Sequence, residues 1–167
     1  VFLAGLPEGG ALAYAARHIL GRHCRVHAIE GCHCLVASLE GGWEAFLRRR
    51  RAKFRAGLLR GLRRAGEAGL ERVYLDGAAC AETSALLERV LAVERRSWKW
   101  AAGESIFQSE PFPAFYRELL QRSGGLGQLR AAFVRRAGRD IGYAFGSRFG
   151  GSFRGHQMGF DEAERAF

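Results

Sequence analysis

Residues 93–120, VERRSWKWAAGESIFQSEPFPAFYRELL, gather the side chains most suited to chemistry. Glu94, Trp98, Lys99, Ser105, Phe115 and Tyr116 fall in this one compact segment. An acid, a lysine and large aromatics at a helix end suit the edge of a binding site, where a cation and a carboxylate meet a ligand against an apolar wall. Glu94 follows Val90 by four residues and precedes Trp98 by four, so it lies on or beside an apolar helical stripe. An acid placed there is either paired with an arginine or functional.

The elements around this segment must position it. Upstream, residues 79–98 read as one long helix with the stripe Leu86, Leu87, Val90 and Leu91. Ser105, Ile106 and Phe107 read as a short extended piece, and Pro111 and Pro113 introduce a helix reaching Arg122, stopped at Gly124 and Gly125. Downstream come three alternating strands, residues 128–136, 141–149 and 152–160, joined by turns at AGRD and at Gly150-Gly151. On the last strand Ser152, Arg154, His156 and Met158 are expected on one face, with Phe153, Gly155, Gln157 and Gly159 on the other. Residues 70–75 (LERVYL) add a further strand.

The N-terminal part reads as strand 1–6, helix 11–20, and short strands 26–29 and 34–39. Trp43, Phe46, Leu47, Phe54, Leu58, Leu62 and Ala65 then form a single helical stripe, opposed by Arg48, Arg49, Arg51, Arg55, Arg63 and Arg64. No acid lies between Glu44 and Glu67. That face is either solvated, with arginines extended into water, or a basic wall for an anionic ligand.

The chain has 167 residues, enough for a domain with a real core. At 48% hydrophobic with three prolines it is a folded globular protein rather than a disordered one. No apolar run approaches a membrane span. The first residues lack the basic end of a signal peptide, and a cytoplasmic protein is expected. Both ends read as a fragment trimmed from something longer. The net charge of +9 is carried by arginine, since Lys53 and Lys99 are the only lysines. It reflects base composition in part, and otherwise an anionic partner such as nucleic acid, a membrane surface or a phosphorylated cofactor. Cys24, Cys32 and Cys34 stand among His23, His27 and His33, but without the two separated ligand pairs of a zinc site. They read as small buried residues on a strand, with no metal and reduced thiols.

The pieces LAGLPEGG, WEAFL through RRAGEAG, VERRSWK, FYREL, GQLRAAFV, AGRDIGYAFG and HQMGFDEAERAF, in this order, resemble the GNAT-like acyltransferases of the FemAB and CelD type. The resemblance implies an α/β (α+β) fold, a mixed and largely antiparallel sheet with flanking helices. It implies residues 1–77 as part of a first GNAT-like half with the basic helix, and residues 78–167 as a second. The proline-glycine loop and helix that hold the acyl-CoA pyrophosphate in that family would follow Phe167. The implied chemistry is transfer of an acyl group from acetyl-CoA or another acyl-CoA to an amine or hydroxyl, in cell-envelope or exopolysaccharide biosynthesis. The resemblance supplies no fixed catalytic triad; the catalytic candidates are the polar groups of this chain that could converge, Glu94 as base or acceptor guide, Tyr116 as proton donor, His156 as base and Asp161 at the acceptor pocket. Trp98, Lys99 and Arg55 are the substrate-binding candidates. Two alternatives stay open: a FemAB-like transferase using aminoacyl-tRNA, and a non-catalytic module that binds nucleic acid or another polyanion.

Overall fold

The computed structural model describes residues 9–29, 36–80 and 82–166. The chain forms two compact units, residues 1–50 and 51–167, and the boundary falls inside the stretch expected as the first half.

In the first unit, α1 (Ala11–His18) is followed by a 3-10 turn at Leu20–Arg22, and α2 spans Gly42–Arg48. Residues 25–29 and 36–39 are irregular, so the strand expected at 26–29 and the described part of the one expected at 34–39 do not form. Lone short apolar runs of this kind need a paired neighbour to become strands. The strand expected at 1–6, and Cys32 and Cys34, lie outside the described residues. Cys24 is exposed. Trp43 stacks on Phe46 at 5.7 Å, and the Arg50 guanidinium lies 4.4 Å from the Phe46 ring centre.

The second unit opens with α3 (Ala52–Glu67). The single helix expected across Trp43 to Ala65 is therefore two. Arg51, extended at φ −58° and ψ 145°, ends the continuity and starts α3.

Four strands follow: β1 (Glu71–Asp76), β2 (Leu129–Arg136), β3 (Arg139–Phe149) and β4 (Ser152–Phe160). They form one antiparallel sheet in the order β1-β2-β3-β4. The β2–β3 turn is tighter than AGRD suggests. Ala137 (φ 49°) and Gly138 (φ 77°) alone make it, both left-handed as a two-residue hairpin requires. Between β1 and β2 run a 3-10 turn at Gly77–Cys80, then α4 (Thr83–Glu94), α5 (Trp98–Ala101), a 3-10 turn at Ile106–Gln108, and α6 (Phe112–Gly125). The long helix expected over 79–98 thus shortens at both ends, because Ser97 caps a new helix by accepting from the Trp100 N–H. Ser105 does the same for the Phe107 N–H, which turns the expected extended piece at 105–107 into a 3-10 turn. Gly124 stays inside α6 rather than stopping it. A Cβ there would lie 2.8 Å from Thr83 Cγ2, so glycine lets α6 meet the start of α4.

The core sits between one face of the sheet and the helices α4 and α6. Leu86, Leu87, Val90 and Val93 of α4 and Tyr116 and Leu120 of α6 are buried against Leu129, Phe133, Tyr143 and Phe145. Burying each such side chain stabilises the fold by about 1.5–3 kcal/mol. The other face carries Tyr74, Ala132, Ala144 and Met158, and Tyr74 and Met158 are exposed. There a cavity of about 370 Å³ separates Leu62 and Ala65 of α3 from Val134, Gly142 and Phe160. Accordingly no residue of α3 is buried.

The register of β4 overturns the expected face assignment. Phe145 pairs with Gln157 but Gly146 pairs with Gly155, so His156 is an extra residue, a bulge. A bulge places two neighbouring residues on the same side. His156 and Gln157 accordingly both reach the helix-covered face, where His156 meets Ser147 and Gln157 meets Tyr116.

Asp140, at the start of β3, is clasped by Arg89 at 2.7 and 3.0 Å and by Arg135 at 3.0 Å. Arg89 also lies 3.8 Å from the centre of the Phe133 ring. Burial raises the Asp140 pKa, but the two guanidiniums outweigh it and hold the group below its ordinary 3.8. A carboxyl depressed in the folded state binds fewer protons than when unfolded. Its stabilisation is therefore complete above 3.8 and is lost as pH falls through the lower folded value. Asp140→Asn should lower the urea midpoint at neutral pH and flatten the acid limb of a midpoint-against-pH profile. A profile with the native slope below 3.8 would rule out this assignment.

Candidate active site

Glu94 is the last residue of α4, fully buried, and its carboxylate is the centre of a polar cluster. Ser105 Oγ donates to Oε1 at 2.7 Å, and Tyr143 Oη donates to Oε2 at 2.7 Å. The Lys99 ammonium lies 3.2 Å from Oε1 and donates to the Met158 carbonyl at 2.8 Å. Three elements converge here for local reasons. Amphipathic spacing turns Glu94 toward the sheet with Val90 and Val93. The Ser97 cap starts α5 and so sets Lys99 on the side of β4. The Ser105 cap turns its own hydroxyl inward. Burial, and then the bond to Glu94, push the Tyr143 phenol above its ordinary value, so it stays a proton donor to the carboxylate. Glu94 is paired, and its partner is a lysine rather than the arginine expected.

Gly159 explains how close β4 comes. A Cβ at that position would stand 2.5 Å from Glu94 Oε2 and 2.8 Å from Tyr143 Cε1. A glycine within a strand is a signal for such an approach, and it was visible in GHQMGF. Tyr143 carried no comparable signal, since it alternates with Ile141 and Phe145 like any core residue.

The remaining candidates divide among separate partners. Tyr116 packs edge-on to Phe145 at 5.8 Å and accepts from Gln157 Nε2 at 2.9 Å. His156 Nε2 lies 2.9 Å from Ser147 Oγ, which lies 3.3 Å from Ser123 Oγ. Burial, and then the Arg154 charge, lower the His156 pKa, so the imidazole is neutral at neutral pH. Asp161 accepts from Arg96 Nε at 2.7 Å and from the Ala163 N–H at 3.1 Å, capping a 3-10 turn at Glu162–Glu164. Trp98 is 47% exposed at the start of α5. Arg55 is half-buried on α3, which lines the opposite face of the sheet, and makes no side-chain hydrogen bond or ion pair among the described residues. The structure thus joins Glu94 to Lys99 and gives each of the other candidates a different setting.

The cavity beside α3 has a charged rim of Arg72, Glu164 and Arg165 and touches none of the candidate residues. The strand edge beside Lys99 is a different kind of place. Asp161 N–H donates to the Ile141 carbonyl at 2.8 Å, which fixes the phase of the β3–β4 ladder. In an antiparallel ladder such pairs alternate, so Gly159 with Tyr143 and Gln157 with Phe145 carry the bonds. The backbone groups of Met158 and Phe160 therefore face outward, along the free edge of the sheet.

Among the described residues no group of histidine, cysteine and carboxylate side chains could hold a metal ion. None of their helices is long and apolar enough to cross a membrane. The family model described as an acetyltransferase (GNAT) domain matches residues 52–167. No curated protein sequence matches the chain. Among solved structures, the PaiA N-acetyltransferase from Thermoplasma acidophilum, in complex with coenzyme A, is 19% identical with a TM-score of 0.37. The similarity covers 57% of this chain and 60% of that one, so the chain spans little more than half of that protein's length.

Proposed function

Because the chain belongs to the GNAT acetyltransferase domain family, we propose that it transfers an acyl group from acyl-CoA to an amine or hydroxyl acceptor. The observation that carries this reading is the family match over residues 52–167, the same residues that build the sheet, α4 and α6. Acyl-CoA supplies an acyl group already activated as a thioester. The Met158 carbonyl is held by Lys99, and the outward Met158 N–H with the outward N–H and carbonyl of Phe160 suit an extended, amide-bearing chain laid along the edge, which is the chemistry of the pantetheine arm.

In this reading His156 is the proton acceptor, because burial keeps its imidazole neutral. Tyr116 accepts from Gln157 and so keeps its own O–H to donate. Trp98, exposed at the start of α5, walls the acceptor's approach. Asp161, just past β4, ties the end of that strand to the turn after α4 through Arg96. The resemblance to the FemAB and CelD type favours an N-acetyltransferase of cell-envelope or exopolysaccharide biosynthesis, with the pyrophosphate loop after Phe167.

Calorimetric titration of acetyl-CoA into the chain, and into a form extended past Phe167, tests the reading. Saturable binding to the extended form alone is the expected result. Binding to both would keep the reading and move the phosphate site into residues 1–167. Heat from neither would overturn it.

A further inference from the structure

The Glu94 carboxylate has no room to work as a base. Ser105 and Lys99 occupy one oxygen, Tyr143 the other, and the Gly159 backbone closes over it. What the carboxylate does instead is hold the Lys99 ammonium in place. A lysine tail at a surface is ordinarily mobile, with several rotatable bonds. This one is only 21% exposed and is tied at its tip to two different elements, α4 through Glu94 and β4 through the Met158 carbonyl. Met158 is an edge residue whose backbone faces away from β3. The lysine therefore grips the strand on the side where nothing in the sheet does.

We propose that Lys99 is a positioning residue. With Glu94 as its fixed counter-ion it holds the Met158 carbonyl and thereby sets the outer edge of β4 at Met158 and Phe160, against which the acyl donor lies. The inference rests on the acyl-CoA reading above. It takes Glu94 out of proton transfer and Lys99 out of direct charge pairing with a substrate. It also accounts for Gly159, since any side chain there would push the strand off the carboxylate.

The test uses the double variant Lys99→Met/Glu94→Gln, in the form of the protein that binds acetyl-CoA. The neutral pair keeps the volume of both side chains, and the amide oxygen that replaces the carboxylate still accepts from Ser105 or Tyr143. Replacing both partners of a buried ion pair is often neutral for stability, so the melting temperature should stay near native. Backbone amide exchange at Gln157 and Gly159 should nevertheless accelerate about fivefold to tenfold, and acetyl-CoA should bind more weakly by a similar factor, the worth of one good hydrogen bond. Lys99→Arg, which can reach the same carbonyl and carboxylate, should restore most of both. Native exchange rates in the double variant would overturn the inference. So would faster exchange with unchanged acetyl-CoA affinity. If the native protein binds no acetyl-CoA, the acyl-CoA reading fails, and with it the donor role of Lys99. The exchange rates then decide separately whether the grip on β4 exists.

Discussion

Glu94→Ala is expected to destabilise the protein by about 3–5 kcal/mol, the range for breaking a buried ion pair from one side. The carboxylate has no exposed surface and receives three donors, so its loss strands the Tyr143 and Ser105 hydroxyls and leaves an ammonium without its counter-ion. A stranded buried hydroxyl alone costs about 1–3 kcal/mol. Lys99 retains some contact with water and keeps the Met158 carbonyl, which places the expected loss toward the lower end of the range. Glu94→Gln should lose less, because the amide oxygen still accepts one hydroxyl. Urea unfolding with an unchanged m-value measures the difference directly. A loss under about 1 kcal/mol for the alanine variant would mean that this cluster does not hold α4 to the sheet.

Gly146→Ala should be the next most damaging of these changes, at about 1–3 kcal/mol and near the top of that range. Gly146 pairs with Gly155 beside the bulge. An added Cβ would collide with the Arg154 carbonyl oxygen and would stand 2.6 Å from Phe153 Cζ. The ring can swing aside, being half-exposed, but the carbonyl belongs to the neighbouring strand and cannot move without opening the β3–β4 ladder. Gly155→Ala is the matched control. There the nearest atom, Phe153 Cε1, is 4.0 Å away, so the change should be within about 0.5 kcal/mol of neutral. Equal losses from the two would show that the effect is general strand glycine chemistry rather than this close approach. The same variant should disturb the His156–Ser147 contact, because the bulge that aims His156 is set by how Gly146 faces β4.

These effects separate two kinds of information in the chain. The alternation of Leu129, Ala131 and Phe133, and of Tyr143 and Phe145, was readable as a strand pair, because period-two patterning follows directly from pleat geometry. The order of pieces from VERRSWK to HQMGFDEAERAF pointed to the GNAT acetyltransferase domain, which the match over residues 52–167 shows. The antiparallel sheet with flanking helices agrees with that reading. The N-terminal strand expected at 26–29 and the described part, 36–39, of the one expected at 34–39 do not form, because local apolar character alone does not supply a pairing edge.

The amino-acid sequence by itself determined the antiparallel meander, the presence of helical segments before it and the concentration of polar candidates between residues 93 and 120. Those features depend on periodicity, turn residues and caps, all of which act over a few neighbouring positions. Only the tertiary structure decided what each candidate does. Glu94 meets Tyr143 across 49 positions and Tyr116 meets Gln157 across 41. Such pairings depend on register and on where one extra residue enters a strand. A single bulge at His156 turned it to the same face as Gln157, against strict alternation. The capping serines placed Lys99 at the strand edge rather than in open solvent. Side-chain chemistry is written locally, whereas its partners are chosen by strand register and by the packing of α4 and α6 on the sheet.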